Sequence, residues 1–272
     1  MESAVDAAGL VPLVVLGGSL TAFLLAIAAV GRCRAAGEPI VPLREHPPVC
    51  WEGGDVALVL VGYLLAASLM ARQAGPDSSL VARLVDNVVL TLGASLGATA
   101  WLAARGATWS EMGFDFGSWR EDLRTAVGGL ALVVFPLLAI AGVLNVLVRY
   151  RHPVVDLLAG QRDGLAVAAV VISAIVAAPV AEELFFRKVL QGWLEKRLAG
   201  DQLAPVLVSA LAFAAAHADQ GLAYVPLFPL GLVLGTIAQR TGSIVPCILL
   251  HGLFNAVSVA LLLARPGRPA AG

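Results

Sequence analysis

Charge is scarce in this chain: Asp, Glu, Lys and Arg make up 14% of its 272 residues, against 59% hydrophobic, and the mean hydropathy is +0.86. An ordinary soluble domain carries about 25% charged residues, so a water-soluble globular protein is excluded. Charge of one sign is lacking as well. A formal net charge of -1 leaves no basic field to neutralise phosphates, and nucleic acid is not an expected partner. Cysteine is sparse: Cys33, Cys50 and Cys247 are odd in number and show no Cys-x-x-Cys spacing, which argues against a disulfide framework and against a cysteine-built metal site. The His-Glu-x-x-His signature of soluble zinc proteases is absent. So is any evident internal repeat of the transporter kind.

What the chain has in quantity is apolar length. Eight candidate spans follow from it: Leu10–Val30, Val56–Met70, Leu84–Ala104, Ala126–Val148, Leu165–Phe186, Leu203–Ala216, Leu222–Ala238 and Ile244–Leu263. The expected fold is an all-α polytopic membrane protein of about eight helices, with the lipid bilayer as its partner. The first run follows Glu2 and Asp6 rather than basic residues, as expected of a retained helix and not of a cleaved signal peptide. The loop Arg32–Asp55, with Pro39, Pro42, Pro47, Pro48, Gly53 and Gly54, should be irregular. The stretch Thr108–Arg124 interleaves Trp109, Met112, Phe114, Phe116 and Trp119 with acidic and basic residues, as an interfacial segment does. Its alternative reading is a substrate-docking platform.

Pro226, Pro229, Gly231, Gly235 and Pro246 interrupt the later spans. In lipid they are tolerated where neighbouring helices or cavity water satisfy the freed backbone groups, so a cavity is expected among the C-terminal helices. The expected organisation is residues 1–123 as N-terminal helices, loop and interfacial segment, 124–264 as a catalytic core, and 265–272 as a disordered tail.

Glu182 and Glu183 stand side by side in this greasy half, with Arg187 one turn on. An ionisable group at bilayer depth costs at least about 2.5–3.5 kcal/mol and calls for a functional explanation. On a helix Glu183 and Arg187 share a face, while Glu182 points about 100° away. Glu183 with Arg187 therefore reads as an ion pair that makes burial tolerable, and Glu182 as the reactive carboxylate turned to a cavity. The structural alternative is a solvated charged cap at the helix end. His217 follows Phe213 by four residues, and His251 precedes Asn255 by four, each pair on one helical face. Singly, these read as a capping histidine and an interhelical hydrogen bond. Together, Glu182, His217, His251 and Asn255 are the members expected of a hydrolytic site: a base, a partner and oxyanion donors.

Three motifs in order carry a resemblance. Glu182-Glu183-Leu-Phe-Phe-Arg187, Phe213-Ala-Ala-Ala-His217 and His251-Gly-Leu-Phe-Asn255 match Glu-Glu-x-x-x-Arg, Phe-x-x-x-His and His-x-x-x-Asn. The chain thus resembles the CPBP intramembrane proteases, the group of CAAX-prenyl proteases and bacteriocin-processing enzymes, over roughly its last third. The resemblance implies an eight-helix fold with an intramembrane cavity and peptide-bond hydrolysis by an activated water. It implies Glu182 as general base helped by His217, His251 and Asn255 as oxyanion donors, and Glu183 with Arg187 holding the constellation. The eukaryotic branch of that family acts beside a prenylated cysteine, but the Ala/Leu/Val/Gly-rich composition here looks bacterial, so the expected location is a bacterial inner membrane and the expected substrate a membrane-associated peptide or protein tail.

Two routes to the activated water stay open. Glu182, His217 and His251 make up a His₂Glu donor set for zinc, whose bound water would be the nucleophile. A metal-free Glu/His mechanism fits the same residues. Two other readings of the pocket are a non-catalytic scaffold or immunity protein and, behind it, a proton-coupled transporter.

Overall fold

The computed structural model describes residues 7–73, 79–147 and 164–264 of the chain. The 265–272 tail expected to be disordered lies outside them. Among the described residues eight α-helices follow one another and there is no strand. They are α1 (Ala7–Ala36), α2 (Gly53–Gln73), α3 (Leu80–Ala104), α4 (Trp119–Leu147), α5 (Gly164–Arg197), α6 (Ala204–Ala215), α7 (Tyr224–Thr241) and α8 (Val245–Leu263). A 3₁₀ turn, Ala218–Ala223, links α6 to α7. All but α6 are long and apolar enough to cross a membrane. Helices satisfy their own backbone groups, which is why an apolar chain at bilayer depth takes this form. The protein is an integral, multi-pass membrane protein. Leu13, Val14 and Leu25 on α1 are about two-thirds exposed, faces that lipid covers.

Two element boundaries differ from the hydropathy reading. The fifth span, expected to end at Phe186, continues as helix to Arg197. At 34 residues α5 is about 50 Å long, well beyond the roughly 30 Å hydrocarbon core, so its last turns leave the lipid while remaining helical. Hydropathy marks where the lipid stops, and Gln191, Glu195 and Lys196 mark where the helix goes on. The stretch Thr108–Arg124 divides at Trp119, where α4 begins with Glu121 and Asp122 in its first turn, a placement the helix dipole favours. Residues before that point form turns, from which Trp109 and Phe116 project at 65% and 66% exposure, as side chains at headgroup depth do.

The irregular loop after α1 is pinned at several points. Arg44 pairs with Glu121 and Asp122, its backbone N–H donates to the Arg240 carbonyl, and Arg240 Nε returns a bond to the Val41 carbonyl. Burial lowers the affinity of Arg44 for its proton, but the hydrogen bonds to Glu121 and Asp122 outweigh it and raise the pKa. One core cluster joins Trp51, Val56, Leu102 and Met112 to Leu184, Phe186, Val189, Phe213 and Ile244, so it draws on both sides of residue 123. A second lies between α4, α7 and α8 around Leu137, Leu234, Ile237 and Leu250.

Candidate active site

Helix α5 is wound unevenly, and that unevenness builds the site. Two wide, π-helical stretches, Ile172–Ala177 and Glu183–Leu190, flank a five-residue α-helical stretch, Ala178–Glu182, which holds Pro179. Proline brings no N–H and crowds the preceding turn, so the ladder shifts around it. Wide turns of this kind recur at functional sites because they redirect side chains and free carbonyls. Here the carbonyls are met from two other helices and from the loop after α1. Asn255 Nδ2 of α8 donates to Ala174 O at 2.8 Å, Ser209 Oγ of α6 to Phe186 O at 2.8 Å, and Trp51 Nε1 to Val189 O at 3.0 Å. Tyr63 of α2 sits 3.4 Å from Ala181 O and 3.0 Å from Ser95 Oγ of α3.

Glu183 is fully buried, and both its oxygens are taken. Arg187 Nε donates to Oε2 at 2.9 Å, and His251 Nδ1 lies 2.8 Å from Oε1. The expected pair with Arg187 is present, but Glu183 also orients a histidine 68 residues away in sequence. Arg187 is held further by Nη1 to Ser209 Oγ at 3.0 Å and by the face of Phe213, 4.8 Å from its guanidinium carbon. Phe213 is wholly buried and meets the edges of Phe186, His217 and His251. Ser209 and Phe213 stand four apart on one face of α6, and His217, two residues past its end, continues the spacing. That spacing was the available sign that Ser209 belongs to the site.

Glu182 faces the other way. Its Oε2 lies 3.8 Å from His217 Nε2 and 3.8 Å from His251 Nε2. Both histidines use Nδ1 elsewhere: His217 Nδ1 bonds the Phe213 carbonyl at 2.9 Å, and His251 Nδ1 bonds Glu183. A carbonyl accepts only, so His217 carries its proton on Nδ1 and turns the Nε2 lone pair toward Glu182. The carboxylate sets the same tautomer for neutral His251. At 3.8 Å the contacts are too long for direct hydrogen bonds and suit one bridging water. Glu182 Oε2 is itself buried with no hydrogen-bond partner among the described residues.

Glu182, His217 and His251 thus converge from α5, the end of α6 and α8. Asn255 lies on the same face of α8 as His251, and one N–H of its amide donates to Ala174 O. For zinc, the donor types and the outward Nε2 atoms fit a His₂Glu set, each histidine being oriented through Nδ1 as ligating histidines are. The spacing is not already drawn in: among the described residues no group of three His, Cys, Asp or Glu side chains is placed to hold a metal ion.

The remaining motif residues are packing devices. A Cβ at Gly231 would stand 3.1 Å from the Ala210 backbone, and one at Gly235 2.8 Å from Gln191 Oε1, so both glycines let α7 approach α6 and α5 closely. Gly242, at φ +65°, ends α7 in the left-handed conformation that glycine adopts freely. At the start of α6, Asp201 accepts from the backbone N–H groups of Leu203 and Ala204, both at 2.9 Å. The bonds from Ala204 and Leu203 hold its carboxyl below the usual range.

Residues 164–257 match the protein family described as Type II CAAX prenyl endopeptidase Rce1-like. This stretch of the chain is similar to the CPBP/CAAX protease family. It covers about a third of the chain and takes in all three motifs, from Glu182 to Asn255. Among curated proteins and solved structures, nothing matches the chain. The family so matched is one of CAAX-type endopeptidases.

Proposed function

We propose that the protein hydrolyses a peptide bond in a membrane-associated peptide or protein tail, using water activated by Glu182 together with His217. The observation that carries this reading is the convergence of the Glu182 carboxylate with two outward-facing Nε2 atoms, 3.8 Å from each. A water between these groups is within reach of a carboxylate that takes its proton. His217, fixed by the Phe213 carbonyl, holds the water's second hydrogen and passes a proton toward the leaving amine. His251 is held between Glu183 and the cavity, where in its protonated form Nε2 donates to the developing oxyanion. The Glu183 carboxylate lies against the other ring nitrogen of His251, and Arg187 holds Glu183 in place. Zinc, if held, would sit on Glu182, His217 and His251 and would supply Lewis-acid polarisation of the water.

The test uses purified protein in detergent or liposomes and a panel of quenched-fluorescent membrane peptides, with and without a terminal prenyl cysteine. Cleavage by the wild-type chain is expected, and its loss in Glu182→Gln, His217→Ala and His251→Ala with the unfolding midpoint of Glu182→Gln unchanged. Undiminished cleavage by Glu182→Gln sinks the proposal. A chelator arm separates the two routes: loss of activity on chelation with recovery on zinc assigns the metal, and full activity after chelation assigns direct activation.

A further inference from the structure

We propose that Asn255 serves this site as a positioning residue, supplying to α5 the hydrogen bond that Pro179 removes. The argument starts in the first wide stretch of α5. There the ladder runs in the i−5 register, with Ala178 N bonded to Ser173 O. The next donor in that register would be residue 179, aimed at Ala174 O. Residue 179 is proline and has no N–H. A carbonyl left bare at bilayer depth has no water to turn to, so a neighbouring helix must supply the donor. Asn255 Nδ2 does so, at 2.8 Å.

A second observation places α8 against the same defect. In the ordinary i−4 register, residue 179 would serve Ile175 O. That carbonyl is where Gly252 of α8 makes its close approach: a Cβ on Gly252 would stand 2.7 Å from it. Gly252 and Asn255 are three apart and share a face of α8. Both carbonyls that proline would have served in one register or the other therefore face this one stripe, the glycine giving room and the asparagine giving a proton.

The consequence for chemistry runs along both helices. Glu182 lies three residues after Pro179 in the same short α-helical stretch, and His251 lies one residue before Gly252. A tie between residue 255 and the carbonyl of residue 174 fixes how α5 is rotated against α8, and with it the 3.8 Å separation of Glu182 and His251. This tie uses one of the two N–H groups of the Asn255 amide.

A positioning role separates from a direct one in a double-mutant cycle, because Pro179→Ala restores the missing backbone N–H. The activity arm of the experiment rests on the peptidase reading, and the stability arm does not. We expect Asn255→Leu to lower the unfolding midpoint in detergent and to reduce kcat about tenfold or more, with KM little changed, as leaving a buried carbonyl unmet would. Pro179→Ala alone should stay near wild type in both. The Pro179→Ala/Asn255→Leu protein should recover most of the midpoint and a measurable part of kcat. A double variant whose kcat stays as low as that of Asn255→Leu overturns the proposal and leaves Asn255 with a direct role alone. Strictly additive midpoints overturn it as well. Coupled midpoints in a wild-type chain that cleaves nothing support the anchor and sink the peptidase reading instead. Asn255→Ala gives the same cycle where the leucine variant does not fold.

Discussion

Two adjacent glutamates in one helix have opposite surroundings, and the difference sets what each can do. Glu183 is enclosed, with Arg187 on one oxygen and His251 on the other, while the Glu182 side chain is a quarter exposed and has one buried oxygen with no partner. Removing the charge from Glu183 leaves the Arg187 guanidinium buried against a neutral amide, a change that costs about 3–5 kcal/mol when a buried pair is broken. Glu183→Gln should therefore lower the thermal unfolding midpoint strongly in a given detergent, and Glu182→Gln should leave it near wild type. Equal losses in the two variants would show that the division of labour is wrong. The Glu183–Arg187 contact was legible in the sequence because it is made within one helix, four residues apart. The contact with His251 was not, since no periodicity reports which residue of α8 will face which residue of α5.

At the scale of elements, α5 acts as a hub whose irregular winding is completed by others. Ala174, Phe186 and Val189 each offer a carbonyl to a side-chain donor from α8, α6 and the loop after α1. The closest approach is at Gly252, where an added Cβ would stand 2.7 Å from the Ile175 carbonyl oxygen. The obstacle is backbone, which cannot turn aside as a side chain can. Gly252→Ala should push α8 off α5, costing about 1–3 kcal/mol as overpacking does, and should carry His251 away from Glu182. The expected outcome is a lower unfolding midpoint together with a fall in kcat; a variant with wild-type stability and activity would mean the two helices do not depend on this contact. The sequence announced seven spans and the short α6 through their apolar runs, but not the winding of α5. Pro179 was the available sign, three residues before Glu182, and its effect is on backbone donors, which a pattern of apolar and polar side chains does not display.

For the whole molecule, the question is whether the motif-bearing part stands alone. The family match begins at residue 164, and the N-terminal part offers no site motif of its own. Yet the loop after α1 inserts Trp51, with no exposed surface, between α2 and α5, where its indole N–H meets the Val189 carbonyl and its ring packs in the cluster that also holds Leu184, Phe186 and Phe213. Phe213 in turn touches both histidines and Arg187. A chain of buried contacts thus runs from the irregular loop to the reacting groups, through side chains packed too tightly to shift independently. Trp51→Ala removes a large aromatic from that chain, frees the Val189 carbonyl and opens a cavity, a change worth about 3–5 kcal/mol. Its expected effect is a large fall in the unfolding midpoint and a loss of peptidase activity, although residue 51 lies far outside the matched segment. Trp51→Phe, which keeps most of the volume and loses only the indole N–H, should recover most of both. If Trp51→Ala instead lowers the midpoint while kcat holds, the C-terminal helices set the geometry of Glu182, His217 and His251 by themselves, and the N-terminal part serves stability alone.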